Sequence, residues 1–167
     1  MSAEIDERLD DIAERKNKDI DEMTEEEYKK FDGNLADALL KASDFKNELE
    51  AEMKIVRNKV LLFQFKIHPL SEADYNRIRE KNIKHRGKKD EKLDLVRYRS
   101  NLIYEATMDE DRNRLWNQRE IWDKLDVASG VYVITEVLNP GEKQKIIDAI
   151  DAISGYSDDL DGIVKNS

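Results

Sequence analysis

Cysteine is absent from this 167-residue chain, histidine and proline occur twice each, and aromatic residues make up only 7%. Without cysteine there is no disulfide framework, no zinc–thiolate or iron–sulfur site and no thiol nucleophile. Long apolar runs are missing too, since no stretch approaches the roughly 18 apolar residues that a transmembrane helix requires. The opening MSAEIDERLD has neither the basic start nor the apolar stretch of a secretory signal. The chain therefore reads as cytoplasmic, with no membrane contact. Its length fits one soluble domain plus an accessory segment.

What the chain has in abundance is charge, 40% of all residues with a net of −9, and the charge is arranged in blocks. Residues 1–50 carry 17 acidic and 8 basic side chains, residues 51–100 carry 7 and 14, and residues 101–167 carry 14 and 7. Acidic, basic and acidic blocks can neutralise one another within one fold or between protomers, so self-association is one expectation. The overall sign argues against a general nucleic-acid binder, because phosphate repels carboxylate.

Along residues 1–32 the apolar side chains are sparse: Ile5, Leu9 and Ile12, then Ile20, Met23, Tyr28 and Phe31. Thr24 with Glu27 has the form of a capping box, and Gly33-Asn34 of a helix stop. From Leu35 through Leu39, Ala42, Phe45, Leu49 and Met53 the helical spacing is better populated. Residues 1–50 thus read as an acidic, partly disordered helical arm. Residues 51–157 read as the folded domain and 158–167 as a flexible tail.

Within that domain, Ile55-Val56, a turn at Arg57-Asn58-Lys59, and Val60 to Ile67 predict a hairpin, with Leu61, Phe63, Phe65 and Ile67 on one face. Ser71 and Asp74 then open a helix over 72–84, with Leu70 stapled on Tyr75. The polar run KNIKHRGKKDEK reads as an exposed loop, and Leu93, Val96, Ser100, Ile103 and Ala106 as an amphipathic helix over 93–107. Leu115, Trp116, Ile121 and Trp122 suggest a further short helix. VASGVYVITEVL (127–138) has strand propensity but no strand partner nearby, and its length favours a buried helix. Asn139 as cap, Pro140 at the first position and Glu142 at the third start a last helix over 140–153, with Ile146, Ile147, Ile150 and Ile153 as its apolar face and Gly155 as its stop. The expected fold class is mainly α (α+β): a small helical domain with one short β-hairpin, plus the N-terminal acidic helical arm.

Little chemistry is on offer. His68 leaves a strand just before a proline, His85 sits in a basic loop, and neither has a carboxylate at ligand spacing, so no metal site is expected. No G-x-S-x-G, Walker loop or G-x-G-x-x-G is present, and the many carboxylates are what a solvated acidic face requires. No enzyme and no cofactor are therefore expected. The KHRGKK segment is the single dense basic cluster, but it lacks the interleaved aromatics that stack on bases. Trp116, Trp122 and Tyr132 read first as core; the sharper alternative makes them anchors for a protein partner.

The order of features from Phe63 onward resembles the XkdN-like phage tail assembly chaperones of bacteriophages and defective prophages of Gram-positive bacteria. The resemblance rests on Phe63 to Tyr75 (FQFKIHPLSEADY), the basic helix and loop from Arg77 to Lys89, and the helix around Asp94 to Ala106. Its most specific part is Val137-Leu138-Asn139-Pro140-Gly141-Glu142, a helix, then Ile153-Ser154-Gly155-Tyr156 and the end Val164-Lys165-Asn166. The long acidic arm and the aromatic segment Leu115 to Asp123 depart from that pattern.

The resemblance implies a non-enzymatic protein of tail morphogenesis, acting in the bacterial host cytoplasm and absent from the mature virion. Its partners would be the tape measure protein, whose apolar surface it would keep soluble, and the tail tube protein, whose subunits it would help recruit. In related systems a ribosomal frameshift near the end of the gene adds a second domain, so a chain ending at Ser167 would be the short product. Two readings from other classes compete: a small regulator binding nucleic acid through the basic loop, and a phage inhibitor whose acidic arm mimics phosphate.

Overall fold

The structure, a computed structural model, describes residues 35–156. The chain divides into two compact units, residues 1–44 and residues 45–167. The capping box at Thr24, the stop at Gly33-Asn34, the apolar positions of residues 1–32 and the tail over 158–167 lie outside the described residues. In the first unit the described part is residues 35–44, the beginning of helix α1 (Leu35–Glu48). There Leu35, Leu39 and Leu40 are each about two-thirds exposed, so the spacing makes a helix without burying its apolar side chains.

The second unit begins with an antiparallel hairpin, β1 (Ala51–Arg57) and β2 (Val60–Ile67). Met53 therefore lies in a strand and not on the helix that its spacing from Leu49 suggests. The two turn residues, Asn58 (φ 52°) and Lys59 (φ 64°), are both left-handed, the type I′ geometry whose twist matches that of the strands. The register slips between Ile55 and Val56: Ile55 faces Phe63, whereas Val56 faces Leu61. Leu62 is thus one residue extra on β2, a bulge. It breaks the inward alternation: Phe65 and Ile67 are buried and Phe63 half-buried, but Leu61, predicted on the same face, is exposed.

Ser71 caps α2 (Glu72–Lys81) with both halves of the capping box formed, Asp74 N–H to Ser71 Oγ at 3.1 Å and Ser71 N–H to Asp74 Oδ2 at 3.0 Å. The polar run that follows is not wholly irregular. A two-residue ladder, β3 (Ile83–Lys84) with β4 (Lys92–Leu93), closes its base. Helix α3 (Leu95–Ala106) starts at the Asp94 cap and buries Ser100, Asn101, Leu102, Ile103 and Ala106. Val96, predicted on the buried side, and Leu95 beside it stay 58% exposed, because they line an open groove and not the core.

A short turn, α4 (Asp109–Asp111), runs into a π-helical turn over Arg112–Trp116, closed by Asn117 N–H to Arg112 O at 3.0 Å. The Arg112 guanidinium donates to the carbonyls of Tyr104, Glu105 and Thr107, answering the unpaired acceptors at the C-terminus of α3. After α5 (Arg119–Leu125), the segment of ambiguous propensity forms helix α6 (Gly130–Val137). Helix α7 (Pro140–Ile153) has Asn139 as cap, with the box to Glu142 formed in both directions. Gly155 (φ 94°) ends it in a Schellman arrangement, Tyr156 N–H to Asp151 O and Gly155 N–H to Ala152 O. The fold is α+β and mainly helical, as the periodicities predict.

The core joins Ile55, Phe65 and Ile67 of the hairpin to Ile78, Leu102, Ile103, Val133, Ile134 and the four isoleucines of α7. Each such side chain contributes on the order of 2 kcal/mol by burial. Gly130 allows the closest approach in this core. A Cβ there would lie 2.7 Å from the Tyr104 ring and 2.8 Å from the Trp116 carbonyl oxygen. At the hairpin turn, Arg57 holds both Glu142 carboxylate oxygens (2.6 and 3.0 Å) and the Val137 carbonyl (2.6 Å). One carboxylate thus serves the α7 cap and ties the hairpin to that helix. Bonded to Arg57, it is held below its ordinary pKa.

Candidate functional site

Of the three aromatic candidates, Trp116 is 2% exposed and belongs to the core. The π-helical turn directs it between the strand and α3, where Nε1 donates to Thr107 Oγ1 at 3.0 Å and the ring meets Phe65 and Phe63 edge-on at 5.5 and 5.9 Å. Trp122 is half-buried beside it, with Nε1 donating to the Trp116 carbonyl at 2.7 Å. The structure brings these two together. Tyr132 is engaged elsewhere, by Arg97 of α3, whose guanidinium lies 5.7 Å from the ring centre, and it keeps 38% of its surface.

The histidines are occupied locally. His68 Nδ1 is 2.8 Å from the Pro69 carbonyl, and His85 Nδ1 is 3.3 Å from Asp90. Among the described residues no three His, Asp or Glu side chains are placed to hold a metal. The basic loop spends much of its charge internally. Lys84 pairs with Asp94 at 2.9 Å, Arg86 pairs with Glu80, and Glu91 accepts from Gly87 N–H. That bond to Lys84 holds Asp94 below its ordinary pKa.

A polar seam, not among the expectations above, runs where α3 packs on α6 and α7. Lys143, on the isoleucine face of α7, is 6% exposed, and its Nζ donates to Ser100 Oγ at 2.8 Å and to the Val96 carbonyl at 3.3 Å. Ser100 Oγ also lies 2.8 Å from Thr135 Oγ1. Burial, reinforced by Arg99, lowers the Lys143 pKa. A serine beside such a lysine has the parts of a nucleophile and its base. Ser100 is wholly buried, however, and its hydroxyl is already shared between Lys143 and Thr135. The signal was positional: Lys143 stands three, four and seven residues before Ile146, Ile147 and Ile150, on the stripe that faces the core.

The surface has apolar side chains on ordered elements. In the second unit Phe45 on α1, Val56, Val60, Leu61 and Leu62 at the hairpin tip, and Leu95 with Val96 on α3 are all at least half exposed. A single exposed leucine is ordinary, but clusters on adjacent strand residues mark contact surfaces. No helix among the described residues is long and apolar enough to cross a membrane.

Comparison with known proteins completes the site. Among curated proteins none matches this sequence. A crystal structure described as that of the protein yqbn is similar over 65% of this chain and 87% of its own, at 17% identity and a TM-score of 0.45, too slight a likeness to bear on function. The sequence profile of the phage XkdN-like tail assembly chaperone protein, TAC, matches residues 35–166, beginning at Leu35 where the resemblance read from the sequence began at Phe63. It takes in α1, the hairpin, the aromatic segment and the last helix. The chain belongs to the XkdN-like phage tail assembly chaperone family.

Proposed function

We propose that the protein binds the tape measure protein of its phage through apolar contacts, keeps it soluble in the host cytoplasm, and helps recruit tail tube subunits without entering the virion. The observation that carries this reading is the exposure of large apolar side chains on well-formed elements, above all Val56, Val60, Leu61 and Leu62 at the hairpin tip. A chaperone for an apolar, largely helical client needs such surface accessible, and a folded support that holds it apart. Among Trp116, Trp122 and Tyr132, Tyr132 offers surface. The two tryptophans would act by fixing the hairpin and the 112–125 segment beneath it.

Co-expression with the tape measure protein tests the proposal. The protein should keep the client in the soluble fraction, and the complex should weaken little as salt rises from about 50 to about 500 mM, since apolar burial is insensitive to screening. Tight, salt-sensitive binding to DNA or RNA with no rescue of the client would refute it.

A further inference from the structure

Lys143 lines an open groove of about 190 Å³ between the first turn of α3 and the α6–α7 junction. Leu95, Val96, Leu138 and Pro140 supply its apolar lining and Arg99 a second cation. Among the described residues Lys143 is the only charged side chain that is buried, and no described carboxylate lies within ion-pair distance of its Nζ. The carboxylate whose field it feels, Asp94, is already engaged by Lys84 and by the Arg97 backbone N–H. Arg99 bonds only the neutral Gln144, at 2.7 Å. Both bonds from Lys143 go to neutral oxygens, so its charge is buried with no ion-pair partner in contact, an arrangement costly to the fold.

From these residues we infer that the groove is a docking site for an amphipathic partner helix carrying a carboxylate beside its apolar stripe. The carboxylate meets Lys143 and Arg99, and the apolar side chains cover Leu95 and Val96, each 58% exposed. A free small carboxylate would answer the charge but leave those two side chains in water. A purely apolar helix would cover them but leave the ammonium unpaired in a drier site. Only a segment with both features satisfies the groove. The inference rests on the proposed function for its assumption that the client is helical.

The probe is a fluorescein-labelled helical peptide of about 18 residues, with leucines on one stripe and glutamates along its border, compared with the same peptide carrying glutamine for glutamate. The wild-type protein should bind the glutamate form roughly tenfold more tightly. Lys143→Met, which keeps the stem and removes the charge, should lose most of that discrimination, with Arg99 holding the rest, and Val96→Ser should weaken both. Denaturant midpoints check that each variant is folded. No binding, equal binding of both peptides by the wild type, or discrimination undiminished in Lys143→Met would overturn the inference. If the groove variants still keep the tape measure protein soluble, the groove is not its site while the proposed function stands. If the wild type itself fails to do so, the proposed function falls, and peptide binding judges the groove separately.

Discussion

Helices α1 and α7 are both 14 residues long, yet the large apolar side chains of one face solvent and those of the other form the core. Leu35, Leu39, Leu40 and Phe45 are 62–65% exposed, whereas Ile146, Ile147, Ile150 and Ile153 are all buried. Spacing alone does not separate the two. What differs is the setting: α7 starts at a complete capping box, ends at a left-handed glycine, and is held by Arg57 at its N-terminus. Helical periodicity says that a face will seek apolar contact. It does not say whether that contact is made within the chain or with a partner, and a chaperone needs faces of the second kind.

One charge placed on each helix separates the two. Ile150→Asp should cost about 3 kcal/mol or more, because Ile150 is wholly buried and the carboxylate would be unpaired or would expel the helix. Leu39→Asp should move the denaturant midpoint by no more than about 0.5 kcal/mol. Equal losses would mean that α1 is as much core as α7. Next in size is Gly130→Ala, which drives a methyl group into the Tyr104 ring and the Trp116 carbonyl and should cost about 1–3 kcal/mol in a denaturant titration.

Smaller effects sharpen the account of why α7 is fixed. Asn139→Ala should lose about 1 kcal/mol of helix-start stability, read from the thermal midpoint. The lowered pKa of Glu142 sets a pH dependence. Stability from this carboxylate is fully present above its ordinary value of 4.5 and is lost as pH falls through and below that value towards the folded one. Glu142→Gln should flatten that acid limb of the stability curve. The smallest change expected is a gain: Lys59 occupies a left-handed turn position that glycine adopts freely, so Lys59→Gly should add about 0.5 kcal/mol.

Local rules read the helix starts well because their causes are local. Ser71 with Asp74, and Asn139 with Pro140 and Glu142, satisfy their own backbone whatever packs nearby, so both boxes were legible in the sequence. The 127–138 helix was legible once length was weighed against β-branched propensity. What escaped depends on register and on distant partners. A single bulge at Leu62 turns Leu61 out to solvent, and the slip has no marker in a run of apolar residues. Exposure of Leu95 and Val96 depends on how α3 meets the junction between α6 and α7. Burial of Lys143 required reading a lysine as part of an isoleucine stripe, against its usual preference for water. Trp116 was legible as core, its default reading, although the π-helical turn that buries it was not.

Hydrogen–deuterium exchange of the protein, alone and bound to its tape measure protein, tests whether the client sits on the exposed apolar segments. New protection is expected over residues 35–48 of α1 and residues 56–62 at the hairpin tip, with residues 146–153 of α7, already buried, unchanged. Protection confined to the basic loop over residues 84–92, or none at the exposed apolar segments, would contradict it.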